Sequence, residues 1–418
     1  MIEIIPTKIK DCDISVPGSK SYTHRIIIAA ALSDGVCKIN NDLRSEDTVF
    51  TGSALEQMGI KMEQHLDYVI VHGASGKFKP CSEPVYLGNS GTSMRLMTGV
   101  AALGEGLYTL TGTERMHQRP IVDLIDSLSR LGVCAKAVND GCPPVEIKGR
   151  NIKGGSVPIK CDISSQFLSS LLLIAPYTRK GLEITVTAGP VSKPYIDMTI
   201  DVMEKFGVKV KRDGYEFFKV QGGQIYKSGE YNVEPDLSQA SYFWAAGAIT
   251  GAKVKVKGVK KNSIQGDLRL TDVFAAMGCK VSYENDGISV AGGNLEGIEV
   301  DMSDMPDMVP TLAVVAAFAK GTTEIKNVAH LKAKESDRLG AVANELTKMG
   351  IAVSSSDSGL IIQGGQPKGV SINTYNDHRI AMSFAIAGLS TPGVLIQNEK
   401  CVDKSFPNFW EVFQGFYK

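Results

Sequence analysis

Several helices predicted from the sequence begin with cations, the reverse of the usual preference. A helix amino terminus carries roughly half a positive charge and therefore favours nearby carboxylates. Here Lys20 and Arg25 open the first predicted helix, Arg95 lies in the second, and His378 with Arg379 opens the sixth. The pattern predicts that phosphate or carboxylate groups bind at these helix starts. Solvated surface side chains are the alternative for any single one of these residues, less so for the set.

The segment KAKESDR adds a candidate for proton transfer. Lys334 and Arg338 are four residues apart and would share one helix face, where they repel unless an anion lies between them. Glu335 is a carboxylate inside this cationic group and is therefore available for proton transfer. An ordinary charged helix face, with Asp337 compensating, is the alternative.

Hydroxyl and amide side chains open several of the same helices. The clusters GNSGTS, DISSQ and DLSQ offer short donors and backbone N–H groups, which suit phosphate or sugar hydroxyls. N-capping alone would explain Ser164 or Asp162. No Walker loop and no G-x-G-x-x-G motif after a strand is present, so a nucleotide cofactor is not indicated. The eight cysteines form no CxxC pair and the six histidines no HExxH motif, so no metal is expected.

The composition argues against functions that depend on bulk charge. The 418 residues include 45 Lys and Arg and 45 Asp and Glu, which gives a formal net charge of zero. Nucleic-acid and membrane-surface proteins usually carry excess positive charge, so neither partner is expected. The apolar run 312–319 is far shorter than the roughly 20 residues of a membrane span, and the N-terminus lacks signal-peptide features. We therefore expect a cytoplasmic protein with local anion sites.

Two patterns recur about every 70 residues. Polar clusters open alanine-rich helices six times, near residues 21, 91, 164, 238, 307 and 377. A glycine between an apolar helix end and a strand-like segment recurs five times, at intervals of 71 to 75 residues: Gly59, Gly132, Gly207, Gly278 and Gly350. Each glycine is expected to end a helix at positive φ. The chain therefore reads as six units rich in strands and helices.

The six units are expected to form two domains of three. A sixth glycine is missing because the chain ends in the helix-like FPNFWEVFQGFYK, and the N-terminal IEIIP run could supply the strand that should follow. We expect 1–15 with 233–418 in one domain and 16–232 in the other. With no long linker between them, the domains could close on a ligand.

Nine motifs, in order from residue 17 to residue 409, resemble those of the enolpyruvyl transferase family, and within it the 5-enolpyruvylshikimate-3-phosphate synthases. They are PGSKSYTHR, LGNSGTSMR, RP at Arg119, SSQ, SKPYI, PDM, KESDRL, NDHRIAM and DKSFPNF. The resemblance implies an α/β fold of two domains, each with three βαβαββ units in pseudo-threefold symmetry (an inside-out α/β barrel), and an active site in the interdomain cleft.

The reaction implied by this resemblance is transfer of the enolpyruvyl group of phosphoenolpyruvate to the 5-hydroxyl of shikimate 3-phosphate. Phosphate leaves through a tetrahedral intermediate, no cofactor is used, and the product serves chorismate and aromatic amino acid biosynthesis. The protein is expected to be a monomer.

The resemblance also assigns roles to residues. The catalytic residues would be Asp307 as base for the 5-hydroxyl, Glu335 as acid for the methylene carbon, and Lys20 between the substrates. Shikimate 3-phosphate would contact Lys20, Ser21, Arg25, Ser164, Ser165, Gln166, Ser192, Tyr195, Asp307 and Lys334. Phosphoenolpyruvate would contact Lys20, Gly91, Arg119, Gln166, Arg338, Arg379 and Lys404. Further candidates are Arg95, His330 and His378.

Structural alternatives remain for the two proton-transfer residues. Asp307 could be an N-cap, and Glu335 could form an ion pair with Arg338 or Arg379. Two positions also depart from the family pattern. His330 replaces a frequent asparagine, and Leu96 replaces a frequent proline near the glycine at which the herbicide glyphosate competes.

Two other functions remain open. One is the sibling enzyme that uses UDP-N-acetylglucosamine, but the first motif, KSYTHR, lacks the sibling's lysine-asparagine pair. The other is a non-catalytic phosphate-binding repeat protein. The presence of Lys20, Asp307 and Glu335 together favours an enzyme, because a binder needs neither a base nor an acid.

Overall fold

The computed structural model describes residues 1–149 and 151–417, and the chain divides into two compact units. The split unit contains Met1–Pro17 and Glu234–Lys418, and the continuous unit contains Gly18–Val233. Each unit has its own cluster of buried apolar residues. The boundaries expected from the sequence lie within two residues of these. Within the described ranges, no helix is long and apolar enough to cross a membrane.

The helices and strands alternate along the chain. The two N-terminal strands are β1 (Ile2–Ile4) and β2 (Cys12–Ile14). The continuous unit contains α1 (Lys20–Leu32), β3 (Val36–Asn40), α2 (Glu46–Gln57), β4 (Lys61–Gln64), β5 (Tyr68–His72), β6 (Val85–Tyr86), α3 (Gly91–Leu103), β7 (Gly106–Thr111), α4 (Val122–Arg130), β8 (Cys134–Asn139), β9 (Cys142–Gly149), β10 (Gly155–Lys160), α5 (Gln166–Ile174), β11 (Leu182–Ala188), α6 (Pro194–Lys205), β12 (Val210–Asp213), β13 (Phe217–Val220) and β14 (Gly229–Asn232).

The rest of the split unit follows the same alternation. Its elements are α7 (Leu237–Thr250), β15 (Val254–Lys257), α8 (Leu270–Ala276), β16 (Lys280–Glu284), β17 (Gly287–Ala291), β18 (Glu299–Asp301), α9 (Val309–Ala316), β19 (Thr322–Lys326), α10 (Arg338–Lys348), β20 (Ala352–Ser355), β21 (Leu360–Gln363), β22 (Ser371–Ile372), α11 (His378–Gly388), β23 (Val394–Ile396) and α12 (Phe409–Phe413). The terminal helix is shorter than the sequence suggests, and a 3₁₀-helix, Gln414–Tyr417, follows it.

The strands of the continuous unit form three four-stranded sheets. Their strand orders are β14-β3-β5-β4, β6-β7-β9-β8 and β10-β11-β13-β12. In each sheet the first pair is parallel and the remaining pairs are antiparallel. Because β14 pairs with β3, the last strand of the unit joins the sheet of its first repeat. The predicted βαβαββ order and α/β class are confirmed.

The split unit uses the N-terminal strands to complete its sheets. The strand orders are β16-β17-β15-β2, β18-β19-β21-β20 and β1-β23-β22. Strand β2 pairs in parallel with β15, and β1 pairs antiparallel with β23, with Ile4 opposite Val394. The expectation that the IEIIP run supplies the missing strand is confirmed.

Six helices, α1, α3, α5, α7, α9 and α11, are buried along almost their whole length. Helices that are apolar on all sides are expected to lie inside a core. None of the six has an acidic residue in its first turn, whereas α2, α4, α6 and α8 each have at least one. The buried helices therefore leave their positive N-terminal ends without a first-turn carboxylate.

The five recurring glycines all have φ between 80° and 103°. The positive φ predicted at these helix ends is therefore confirmed. Residues with a side chain avoid this region because it brings their Cβ close to the backbone. The surroundings of the glycines differ. A Cβ at Gly132 would meet nothing within 4 Å, whereas one at Gly278 would lie 2.5 Å from the Asn294 carbonyl oxygen.

This difference predicts unequal costs for two alanine substitutions. Gly132→Ala should lower the free energy of unfolding by about 1–2 kcal/mol, because only the backbone conformation is strained. Gly278→Ala should cost more, because the Asn294 backbone must also move. Urea unfolding of both variants beside the wild type measures the difference, and equal losses would contradict this explanation.

Candidate active site

Asp307 lies at the centre of a charged cluster in the split unit. It lies in a 3₁₀-helix, Pro306–Met308, just before α9. Its Oδ1 accepts a hydrogen bond from Arg338 Nη1 at 2.8 Å, and its Oδ2 accepts one from Arg379 Nη2 at 2.9 Å. Lys334 Nζ lies 3.7 Å from Oδ1. The N-cap of α9 is Met308, so the N-cap alternative for Asp307 is wrong.

Arg338 is held by three carboxylates. Besides Asp307, its Nη2 donates to Glu335 Oε2 at 2.8 Å and its Nε donates to Asp377 Oδ2 at 2.8 Å. The Arg338 side chain is 1% exposed and that of Glu335 is 9% exposed. The ion-pair alternative for Glu335 therefore describes its geometry, and its role as an acid stays a prediction. Asp307, Lys334, Glu335, Arg338 and Arg379 are called the Asp307 cluster below.

The expectation that Lys334 and Arg338 share a helix face is wrong. Lys334 has an extended backbone and follows a 3₁₀-helix, Ala329–Ala333, whereas α10 begins only at Arg338. The helix starts there because the Asp337 carboxylate accepts a hydrogen bond from the Gly340 N–H at 3.1 Å and caps it. The two cations nevertheless both approach Asp307.

Charge controls the ionisation of this cluster. Burial would raise the pKa of Asp307, but Arg379, Lys334 and Arg338 hold it well below its usual range. Burial would lower the pKa of Arg338, but its three carboxylate neighbours raise it above its ordinary value. Asp307 is therefore ionised at neutral pH and is a weak base while the cations contact it.

The start of α11 positions Arg379. Asp377 caps this helix by accepting a hydrogen bond from the Arg379 N–H at 3.0 Å. Arg379 Nη1 also donates to the Tyr242 hydroxyl of α7 at 3.4 Å. His378 is fully buried, with Nδ1 3.7 Å from Asp377 Oδ1. One carboxylate therefore fixes the first turn of α11 and binds Arg338.

Two other predicted residues lie on 3₁₀-helices of the split unit. Lys404 is buried at the end of Glu399–Lys404, and the carbonyl of the next residue, Ser405, accepts a hydrogen bond from Gln239 of α7. His330 is buried in Ala329–Ala333. Burial, with Lys334 adding to it, lowers the pKa of His330 to about 4. His330 is therefore neutral at pH 7.

In the continuous unit, hydrogen bonds link the starts of α1, α2 and α3. Lys20, the first residue of α1, donates from Nζ to Asp47 Oδ2 at 2.9 Å. Asp47 lies in the first turn of α2. Its carbonyl accepts a hydrogen bond from Ser93 Oγ of α3 at 3.0 Å. Lys20 is thus held at a place where helix starts converge.

Gln166, the first residue of α5, joins this group. Its Nε2 donates to Thr92 Oγ1 of α3 at 2.8 Å, and its Oε1 accepts from Arg95 Nη1 at 2.8 Å. Arg119 Nη1 donates to the Asn89 carbonyl at 2.8 Å, just before α3. A Cβ at Gly91 would overlap the Arg119 guanidinium, so the glycine makes room for this cation.

Arg25 occupies the face between α1 and α6. Its Nε donates to Thr199 Oγ1 at 2.7 Å, and its Nη groups donate to the carbonyls of Ser21 and Tyr195. Burial lowers the pKa of Arg25 to about 10, so it stays charged at neutral pH. The predicted phosphate contacts Ser164, Ser165 and Ser192 are buried, and Ser192 has φ 55°.

Sequence reasoning missed two buried carboxylates that bind predicted site residues. Asp377 opens the NDHRIAM motif, and Asp47 lies in the first turn of α2. The sequence around each of these two residues contains a signal that could have indicated it. Asp377 directly precedes His378 and Arg379 at a helix start, and Asp47 follows Ser45 and Glu46 in a helix whose first turn contacts the neighbouring repeat. The Asp377 side chain is 0% exposed and forms an ion pair with Arg338. The Asp47 side chain is 2% exposed and forms an ion pair with Lys20. Both carboxylates therefore position a predicted site cation from the buried side.

The neutral His330 predicts an acid-sensitive stability. The unfolded chain binds a proton at this histidine near pH 6.5, whereas the folded protein does so only near pH 4. Its contribution is therefore complete above pH 6.5 and falls as the pH drops towards 4. Between pH 7 and 5 the wild type should lose about 2 kcal/mol more than His330→Asn.

Urea unfolding of both proteins at pH 7 and pH 5 measures this difference. His65→Asn is the matched control, because His65 is exposed and its replacement should change stability little. An equal acid loss in the wild type and His330→Asn would show that His330 is protonated in the folded protein.

Comparison with known proteins places this arrangement in a family. A model of the family EPSP synthase (3-phosphoshikimate 1-carboxyvinyltransferase) matches residues 6–413. The 3-phosphoshikimate 1-carboxyvinyltransferase of Methanoculleus marisnigri is 43% identical over 418 residues, covering 99% of each chain. That of Syntrophobacter fumaroxidans is 44% identical over 410 residues, covering 96% of each.

Solved structures agree with the sequence comparison. The EPSP synthase of Acinetobacter baumannii superimposes with a TM-score of 0.83 at 30% identity, covering 99% of this chain and 97% of that one. The enolpyruvyl transferase NikO of Streptomyces tendae shares the fold, with a TM-score of 0.78 at 19% identity and the same coverage. With its repeats, its motifs and these full-length matches, the chain belongs to the EPSP synthase family of carboxyvinyl transferases.

Proposed function

We propose that the chain transfers the enolpyruvyl group of phosphoenolpyruvate to the 5-hydroxyl of shikimate 3-phosphate, and that both units contribute residues to this reaction. The observation that carries the proposal is the Asp307 cluster. A partly exposed carboxylate, 15% accessible, is bound by two guanidinium groups and approached by Lys334. Such a cluster can exchange its own carboxylates for those of an anionic substrate.

Binding of phosphoenolpyruvate would activate Asp307. Its phosphate and carboxylate groups compete with Asp307 and Glu335 for Arg338 and Arg379. When a substrate anion takes over these guanidinium groups, the pKa of Asp307 rises because the cations that lowered it are neutralised. Asp307 then becomes a better base only when substrate is bound.

The proposed reaction needs two proton transfers, and two carboxylates of the same cluster support them. The 5-hydroxyl oxygen attacks C2 of phosphoenolpyruvate and gives its proton to Asp307, while C3 receives a proton from Glu335. Glu335 would deliver this proton in its carboxyl form, after its hydrogen bond from Arg338 is released. Glu335 then takes a proton back from C3 of the tetrahedral adduct as the C2–O bond to phosphate breaks, which restores the double bond, and Asp307 gives its proton to the departing phosphate. Arg338, Arg379 and Lys404 stabilise the departing phosphate.

The continuous unit would hold the acceptor and part of phosphoenolpyruvate. Its buried helix starts offer backbone N–H groups and no first-turn carboxylates. Ser164, Ser165 and Ser192 would bind the 3-phosphate, and Arg25 with Ser21 would lie near the shikimate carboxylate. Phosphoenolpyruvate would contact Lys20, Gly91, Arg119 and Gln166. Lys20 would be the residue between both substrates.

Two expectations from the sequence belong to this proposal. We infer a monomer that works in the cytoplasm on two small anionic substrates. Light scattering on the protein as it elutes from a size-exclusion column measures the oligomeric state directly.

A phosphate-release assay tests the reaction. With phosphoenolpyruvate and shikimate 3-phosphate the wild type should release phosphate, and with UDP-N-acetylglucosamine or no acceptor it should not. Asp307→Asn and Glu335→Gln should each lower kcat by 10²-fold or more, on the order of the usual contribution of a general acid or base.

Asp304→Asn provides a matched control three residues from Asp307, because the Asp304 side chain is partly exposed and pairs with Arg269 at the surface. Its kcat should stay within about twofold of the wild type. Release only with the sugar nucleotide would assign the sibling activity, and no release with either acceptor would leave a phosphate-binding protein.

A further inference from the structure

Asp267 is a buried carboxyl that the reaction described above does not use. It lies in a 3₁₀-helix, Gly266–Arg269, and is 5% exposed. Its Oδ2 accepts a hydrogen bond from Ser238 Oγ. Within the described part of the chain it forms no ion pair. A buried carboxylate without a cationic partner is costly, so this group has a reason to hold a proton.

Helix α7 connects Asp267 to the Asp307 cluster. Ser238, its partner, lies one helical turn before Tyr242, so the two side chains occupy the same face of α7. The Tyr242 hydroxyl accepts a hydrogen bond from Arg379 Nη1, and Arg379 Nη2 donates to Asp307. Ser238 and Tyr242 on one face of α7, followed by the Arg379 guanidinium, therefore connect Asp267 to the proposed base, Asp307.

The charges around Asp267 oppose one another. Burial, the Asp307 carboxylate and Asp236 raise its pKa, whereas Arg379 and the Ser238 hydrogen bond lower it, and the result is a pKa of about 7. A substrate anion on Arg379 would offset that cation and favour the protonated form. Protonation of Asp307 would remove its repulsion and favour the ionised form.

We propose that Asp267 takes up a proton from solvent when a substrate anion neutralises Arg379 in the Asp307 cluster, and returns it to solvent when the anion leaves. The proposal rests on the roles proposed above for Arg379 and Asp307. Proton uptake from solvent at Asp267 balances the negative charge of an arriving substrate anion, and the proton returns to solvent when the anion leaves. The total charge of the buried region then changes less than it would with a fixed carboxylate.

Infrared spectroscopy of the full chain without ligands tests the proposal. The carbonyl band of a protonated carboxyl should titrate with a midpoint of about pH 7 in the wild type. Asp267→Asn should lack this band. Asp272→Asn should keep it, since Asp272 lies in the first turn of α8 and accepts a hydrogen bond from the hydroxyl of the exposed Tyr283.

Three further variants test the coupling and its direction. Arg379→Gln and Ser238→Ala should raise the midpoint, and Asp307→Asn should lower it, with charge changes moving it by about one pH unit. Ser238→Ala also covers the case in which Asp267→Asn does not fold. The pH profile of kcat/KM should lose its limb near pH 7 in Asp267→Asn and keep it in Asp272→Asn.

Three results would overturn the proposal. The titration could persist in Asp267→Asn, or the wild type could show none between about pH 6 and 8. The third is a midpoint that does not move in the Arg379 and Asp307 variants. Failure of the proposed function is distinguishable from this result. It would appear in the phosphate-release assay and would leave the infrared titration in place.

Discussion

The structure of the split unit depends on one buried guanidinium. Arg338 is 1% exposed and binds Asp307, Glu335 and Asp377 at once. A buried charge is tolerated only when it is paired, and removing one partner of such a pair typically costs about 3–5 kcal/mol. Three elements must therefore meet at this point: the 3₁₀-helix before α9, the segment before α10 and the N-cap of α11. The same contacts that secure the fold hold the pKa of the proposed base, Asp307, well below its usual range.

The buried helices of both units also begin with polar side chains that are paired inside the protein. Their first turns contain no carboxylates, and hydroxyl, amide and cationic side chains lie there instead. In the continuous unit, Lys20 donates a hydrogen bond to Asp47, Gln166 donates one to Thr92, and Arg119 donates one to Asn89. Each arrangement is satisfied without ligand and can still take an anion, because a helix amino terminus adds favourable potential. In the proposed reaction, a substrate anion would bind by replacing these internal partners.

Much of this could be predicted from the sequence because it repeats. The period of about 70 residues located the six units. The glycines marked helix ends that have positive φ, and the missing sixth strand led to β1. Side-chain partners were harder to predict. The helix expected over Lys334 and Arg338 was wrong because the Asp337 cap delays α10. Asp377, Asp47 and Asp267 were missed because a single carboxylate at a helix start reads as a cap, and only tertiary contacts reveal which cation or hydroxyl it meets.

Cations keep Asp307 ionised, and in the proposed reaction substrate binding restores its basicity. The most direct measurement is a carbon-13 NMR titration of aspartate-labelled protein, with the Asp307 carboxyl assigned by Asp307→Asn, in the free state and with phosphoenolpyruvate bound. The pKa of Asp307 should lie well below the usual aspartate range in the free protein and rise clearly with phosphoenolpyruvate. An ordinary pKa in the free protein, or no change on binding, would contradict it.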